Sequence, residues 1–298
     1  MSQNQQLVQM PPGQRWSGLA WRFCRKQPLG TMALFLILLM LTAAVFGPHL
    51  APYDPLATRF DAVLQAPDAN HWMGTDNYGR DIFSRLIQGT RSALFLGITT
   101  ALIGACIGGA IGATSAYFGG TLDAFFQRLN DVLLSIPLIV SALVVVAVLG
   151  RREVAGVDIN LLMAITLPYI PVMARVMRSA ALSIRSLPYI EAARALGFSH
   201  WHVIRHHLLP NLISPWLVMV SAFTAQTILL EASLSFLGVG VHEPTPAWGL
   251  MLSSVSVDVF INAPWVIMFP GLAISVTVFS FSLLGDALRD ELDPRNNQ

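Results

Sequence analysis

The densest group of side chains that could bind a metal ion is a run of histidines. Four of them fall within eight residues, His200, His202, His206 and His207. His202 and His206 are four residues apart, so they would share one face of a helix, as pairs of zinc ligands do. However, no Asp, Glu or Cys lies between Glu191 and Glu231 to complete a site. The pattern favours a polar surface, and we expect no metal site.

Glu231 is the one carboxylate with apolar residues on both sides inside a stretch long enough to cross a membrane. A charge near the hydrocarbon costs at least ~2.5 kcal/mol, so such a group usually faces water or a partner. Glu231 falls towards the outer end of its stretch. Two positions remain open for it, the lining of a pore and the membrane interface.

Motifs of nucleotide hydrolysis and proteolysis are missing. A Walker A loop needs a lysine after a glycine-rich turn, and no such turn precedes Lys26, the only lysine. The sequence also has no G-x-S-x-G and no H-E-x-x-H. Cys24 and Cys106 lie far apart, which argues against a disulfide framework or a thiolate metal site. We therefore expect a chain that is not an enzyme and has no cofactor of its own.

The composition is that of a membrane protein. Of the 298 residues, 54% are hydrophobic and 12% charged, whereas soluble domains carry about 25% charged residues. The formal net charge of +1 argues against a nucleic-acid partner. The first apolar run, 28–50, exceeds the roughly 7–15 residues of a signal-peptide core, so we expect a retained anchor.

Stretches without Asp, Glu, Lys or Arg locate the membrane spans. A helix needs about 20 apolar residues to cross the bilayer. Six stretches qualify: 27–53, 92–122, 132–150, 159–174, 206–230 and 259–285. The fourth is short, and we expect Arg175 and Arg178 to extend it by reaching to the interface. Pro168 and Pro171 in this span predict a kink rather than a gate.

The distribution of basic residues predicts the orientation. If the N-terminus is cytoplasmic, the inner segments hold 12 of the 18 Lys and Arg residues. The outer segments hold the other six, Arg59, Arg80, Arg85, Arg91, Arg151 and Arg152. Basic residues concentrate on the cytoplasmic side of membrane proteins. We therefore predict both termini inside.

These spans predict the organisation of the chain. A cytoplasmic segment 1–27 precedes the first transmembrane helix 28–50 and an outer loop 51–91. A core of five further helices covers 92–286 and includes the inner loop 186–210, and 287–298 form a cytoplasmic tail. In the second span Gly104, Gly108 and Gly112 repeat every four residues. This stripe predicts close helix packing, either within the bundle or against a second subunit.

The inner loop has the pattern of two short helices. Pro188 suits a first helical turn, with Ser186 as its cap. Gly197 can end that helix in a left-handed conformation, and Ser199 can cap a second helix that ends before Pro210. The loop exceeds the usual 2–8 residues between bundle helices, which favours an interaction surface over a connector.

The inner loop resembles the EAA signature of ABC importer permeases. The matching residues are Glu191, Ala192, Ala193, Gly197, Leu209 and Pro210. His207 stands where that family has a hydrophobic residue. In that family this loop docks into a groove of the ATPase, so the resemblance implies that these six residues couple the chain to an ATPase.

Further segments resemble the dipeptide, oligopeptide and nickel branch of that family. They are HWMGTDNYGRDIFSRL (71–86), GGTLDAFFQRLNDVLLSIP (119–137), LLEASLSFLGVGVHEPTPAWGLML (229–252) and GDALRDELDPR (285–295). The resemblance implies an all-α, six-helix permease of the type I ABC importer kind in the inner membrane. It also implies a homologous permease as heterodimer partner, two ATPase subunits that bind ATP and Mg²⁺, and an extracytoplasmic solute-binding protein.

The transported solute is left open by these motifs. Peptides are the first expectation because that branch is broad, and nickel or a metallophore is the alternative. An ion-coupled secondary transporter would need charges near the membrane midplane or internal repeats. Apart from Glu231 the spans carry neither, and no nucleophile–base group supports a membrane enzyme.

Overall fold

The computed structural model describes residues 24–154, 157–253 and 255–292. Its principal helices are α1 (Pro28–Leu50), α2 (Ile82–Phe118), α3 (Gly120–Leu134), α4 (Leu138–Leu149), α5 (Ile159–Thr166), α6 (Tyr169–Arg185), α7 (Pro188–Ala195), α8 (His200–Val203), α9 (Leu209–Phe236), α10 (Trp248–Ser253), α11 (Val257–Asn262) and α12 (Trp265–Leu292). Two strands of two residues each, β1 (Glu153–Val154) and β2 (Val157–Asp158), pair antiparallel between α4 and α5.

The spans agree with the expected fold class. Within the described ranges five helical segments are long and apolar enough to cross a membrane. The number is six if α3 and α4, which meet at 87°, form one broken span. α5 and α6 together act as one span, Ile159–Arg185, interrupted only at Leu167 and Pro168. This short break is consistent with the predicted proline kink.

The third predicted span, 132–150, contains a break, because α3 ends at Leu134 and α4 begins at Leu138. The chain bends before Pro137, which lacks an N–H and disfavours helix at the residue before it. α3 is held against α6 by two ion pairs. The Arg178 guanidinium donates to both oxygens of Asp123 at 2.6 Å, and Arg175 donates to Asp131 at 2.6 Å. These two arginines therefore pair with α3, and their predicted reach to the interface stays a prediction.

The glycine stripe of α2 packs inside this bundle. A Cβ at Gly108 would overlap the carbonyl of Ile170, and one at Gly112 would overlap the carbonyl of Ala174. Both carbonyls belong to α6, so the two backbones are in direct contact. The structure thus decides between the two alternatives, and this stripe serves the core of the chain itself.

The outer loop is shorter than predicted. α2 begins at Ile82, because Asp81 accepts a hydrogen bond from the N–H of Ser84 and caps the helix there. The loop is therefore 51–81, and the charged residues Arg85 and Arg91 lie on the helix. Of the predicted terminal segments, 1–23 and 293–298 lie outside the described residues.

Candidate functional site

The first helix of the inner loop begins at Pro188, as predicted, but its cap differs. The N-cap position is Leu187, and no side chain accepts a hydrogen bond there. Ser186 instead donates its hydroxyl to the carbonyl of Ser183 at 3.0 Å, one turn back in α6. The prediction that Ser186 caps α7 is wrong, because its side chain bonds to the preceding helix.

The end of α7 is a left-handed glycine turn. Gly197 has φ of +82°. The N–H of Phe198 donates to the carbonyl of Ala193, at 3.2 Å, and the N–H of Gly197 donates to that of Arg194, at 3.0 Å. This pair of bonds is the Schellman motif, which satisfies the last carbonyls of a helix. The predicted role of Gly197 as a helix stop is confirmed.

The second helix of the loop starts as predicted and ends elsewhere. Ser199 caps it by accepting a hydrogen bond from the N–H of His202. It does not end before Pro210. The chain continues through a π turn, Ile204–Leu208, into α9, in which Pro210 occupies the first turn. A π turn just before Pro210 is consistent with this residue, which lacks an N–H and so cannot complete the regular ladder of helical hydrogen bonds.

The predicted coupling residues do not share one face. Glu191 and Ala192 are exposed, whereas Ala193 is buried against the bundle. Gly197, Leu209 and Pro210 are exposed. The small side chain at Ala193 therefore lets α7 approach its own bundle, and of the two alanines only Ala192 faces outward.

Large apolar side chains surround the Gly197 turn, and the sequence reasoning missed them. Leu196 is 77% exposed, Trp201 67% and Phe198 46%. Exposed aromatic and aliphatic groups beside a rigid turn are typical of anchors at protein interfaces. The available signal was three large apolar residues within six positions of a loop that lies outside the spans.

The inner loop is seated on the end of α2. The Tyr117 hydroxyl lies 2.9 Å from Nδ1 of His200. The Arg194 guanidinium stacks over the Tyr117 ring at 4.6 Å from the centroid, and Arg185 donates to the carbonyl of Ala116 at 2.7 Å. These contacts fix α7 and α8 relative to the span. No local motif predicts them, since α2 is about 80 residues away in sequence.

The histidines of the loop stack on one another. The rings of Phe198 and His202 are 4.7 Å apart, and those of His202 and His206 are 4.3 Å apart. Among the described residues no three groups come together as a metal site.

Glu231 lies inside the protomer. Its side chain is 1% exposed, and Ser235 donates its hydroxyl to the carboxylate at 2.7 Å. Ser235 Oγ in turn accepts from the N–H of Val241 at 3.0 Å, which ties the loop after α9 to that helix. Within the single protomer Glu231 is thus buried among its own helices, and its position at a pore or at the membrane interface stays a prediction.

The outer end of the molecule holds a charge cluster that is buried except at Glu243, whose side chain is 47% exposed. Its members, which we call the outer clasp, are His71, Asp76, Arg80, Asp81, Arg85 and Glu243. Arg80 donates to Asp76 at 2.7 Å and to Glu243 at 3.0 Å. Arg85 is fully buried and donates to Glu243 at 3.3 Å. The clasp joins the first outer loop to the loop after α9.

The histidine of the clasp completes the cap of α2. His71 Nδ1 is 2.8 Å from one carboxylate oxygen of Asp81, whose other oxygen binds the N–H and the hydroxyl of Ser84. Nearby, Asp68 accepts hydrogen bonds from the N–H groups of His71 and Asn70. The bond from His71 is the main reason that the pKa of Asp68 lies below its usual range.

Comparison with known proteins gives two matching family profiles. Residues 102–298 match the profile described as "Binding-protein-dependent transport system inner membrane component". Residues 15–67 match "N-terminal TM domain of oligopeptide transport permease C".

Several relatives align along nearly the whole chain. The glutathione transport system permease protein GsiD of Pectobacterium atrosepticum is 40% identical over 92% of this chain and 90% of its own length. The probable D,D-dipeptide transport system permease protein DdpC of Escherichia coli is 36% identical over 99% and 97%. The dipeptide transport system permease protein DppC of Alkalihalophilus pseudofirmus is 37% identical over 96% and 93%.

Proposed function

This chain belongs to the family of binding-protein-dependent transport system inner membrane components, and we propose that it is the permease subunit of an ATP-driven peptide importer. The observation that carries the proposal is the inner loop. It presents Leu196 and Trp201 beside a rigid glycine turn and is seated on a membrane span. Membership of this family excludes the alternative of an ion-coupled secondary transporter.

Peptides are the proposed solutes. The three relatives described above carry names that refer to glutathione or dipeptides. Nickel, the other solute that the motifs allow, has no counterpart in these names. We therefore propose that this chain forms half of a pathway for short peptides.

The proposed assembly contains a homologous permease, two ATPase subunits and an extracytoplasmic solute-binding protein. ATP and Mg²⁺ would bind to the ATPases, because this chain has no phosphate-binding lysine loop. Within the inner loop, Leu196, Phe198 and Trp201 would fill an apolar groove of the ATPase. Glu191, in the first turn of α7, is free to meet a basic residue there or to stabilise the N-terminus of its helix.

Transport measurements on the reconstituted assembly test this function. With all subunits and the binding protein present, proteoliposomes should accumulate glutathione or alanyl-alanine only when ATP is hydrolysed. The purified chain alone should neither hydrolyse ATP nor transport. Uptake driven by an ion gradient without ATP, or steady hydrolysis by a preparation free of other subunits, would contradict the proposal.

A second prediction concerns orientation in the inner membrane, where we propose that both termini face the cytoplasm. Ala69 in the outer loop and Ala195 in the inner loop are both exposed. After Cys24 and Cys106 are replaced, a membrane-impermeant thiol reagent should label Ala69→Cys but not Ala195→Cys in intact spheroplasts. Both should be labelled once the membrane is permeabilised. Labelling of position 195 alone in intact spheroplasts would show that the chain has the opposite orientation.

A further inference from the structure

A groove between α9 and α12 collects polar side chains on an otherwise apolar surface. Its volume is about 280 Å³, and it is open on one side of the protomer. Val218, Leu229 and Val278 form apolar walls. Its polar members are Gln226 on α9 and Ser282 and Asp286 on α12, and all three are exposed.

These three polar side chains have no hydrogen-bond or ion-pair partner among the residues that the structure describes. Some other hydroxyls of the spans are satisfied within their own helix. Thr42 donates to the carbonyl of Leu38 and Ser233 to that of Leu229, each at 2.8 Å. Such back-bonded groups can face lipid, whereas an unpaired amide or carboxylate needs water or a polar ligand.

The polar groups form a strip that runs from mid-membrane towards the predicted cytoplasmic side. Gln226 lies ten residues before the outer end of α9 at Phe236, a rise of about 15 Å, which is half the hydrocarbon thickness. α12 runs antiparallel to α9, and Gly285 packs against Ser221. Asp286 therefore lies nearer the cytoplasm than Gln226. A polar strip at this depth marks a face that is not covered by lipid.

We propose that this groove lines the translocation pathway and binds the main chain of the transported peptide. The amide of Gln226 can donate and accept at once, as a peptide unit does. The Ser282 hydroxyl offers a second donor and acceptor, and the Asp286 carboxylate complements the ammonium group of a peptide N-terminus. The inference rests on the proposed function, because it takes a peptide as the solute.

Reactivity of single cysteines tests the groove in the complete transporter. In a background without Cys24 and Cys106, cysteine replaces Gln226 or Ser282. Phe279→Cys is the matched control, because Phe279 is 60% exposed on the same helix but does not line the groove. Membranes that contain the full assembly are treated with a small charged methanethiosulfonate, with and without peptide. The peptide is glutathione or alanyl-alanine, whichever one the transporter accumulates. Immunoblots check that each variant is present.

Both groove cysteines should react about tenfold faster than the control, because a thiolate forms readily in water and poorly in apolar surroundings. The accumulated peptide should slow their reaction and leave that of Phe279→Cys unchanged. Rates as slow as the control would overturn the inference, since lipid or the second permease would then cover the groove. Fast reaction without protection by peptide would also overturn it, because the groove would be wet without binding the solute.

A second variant separates this inference from the proposed function. Gln226→Leu keeps a similar volume and removes the amide, so the KM for peptide uptake should rise about tenfold or more, the loss of one or two hydrogen bonds. An unchanged KM with normal uptake would overturn the inference about the groove and leave the proposed importer function intact. If the transporter without substitutions accumulates neither peptide, the proposed function itself fails.

Discussion

Gly112→Ala is expected to destabilise the folded bundle, whereas Gly104→Ala should be tolerated. A Cβ at position 112 would overlap the Ala174 carbonyl and approach the Arg178 nitrogen to 2.9 Å. Both are backbone atoms of α6, so α2 and α6 would have to move apart. Overpacking of this kind costs about 1–3 kcal/mol. At position 104 the nearest atom would be Tyr169 Cβ at 3.5 Å, which is ordinary contact.

The two variants make the same chemical change on the same stripe of α2, so helix propensity cancels between them. Abundance in the membrane and thermal unfolding in detergent are the measurements. Gly112→Ala should lower the ratio of folded to unfolded protein roughly 5- to 150-fold. Equal stability of the two variants would show that α2 and α6 are not in backbone contact.

Gly197→Val is expected to abolish uptake while the chain still inserts and accumulates. The left-handed φ of +82° at this position costs a β-branched residue roughly 1–2 kcal/mol, which would shift the turn that orients Leu196 and Trp201. A Cβ at position 197 would meet no atom within 4 Å, so the effect is one of backbone conformation rather than of space. A displaced turn would leave gaps against the ATPase, and even ångström-scale gaps forfeit much of the dispersion contact.

Gly197→Asn is the control, because asparagine adopts the left-handed conformation far more readily than valine. It should keep most of the uptake, whereas Gly197→Val should lose it together with co-purification of the ATPase. Gly197→Val could instead show uptake within about twofold of the unsubstituted protein, an effect under ~0.5 kcal/mol. That result would contradict the proposed coupling role of this loop.

α2 connects the two ends of the molecule in one element. It has 37 residues, a length of about 55 Å. Arg85 at its outer end belongs to the outer clasp, and Tyr117 at its inner end seats the inner loop. Both contacts belong to one continuous helix, which packs on α6. A displacement of the inner loop relative to α2 would have to break the contacts of Tyr117.

The sequence by itself determined the properties that depend on local composition and local backbone chemistry. Stretches without charge locate the spans because hydrocarbon excludes charges wherever they fall in the chain. The start of α7 at Pro188 and its stop at Gly197 follow from the missing N–H of proline and the conformational freedom of glycine. The motif around Glu191 also identifies the family from the sequence, because its residues lie in one contiguous loop.

Only the tertiary structure decided which surfaces meet. The stripe at Gly108 and Gly112 faces α6 rather than another subunit, and Arg80 pairs with Glu243, which is 163 residues away. The groove between α9 and α12 brings Gln226 to the same wall as Ser282 and Asp286. Periodicity shows that a helix has a polar or a small face, but the partner of that face depends on how antiparallel helices align in space. That alignment is set by long-range packing, which no local pattern encodes.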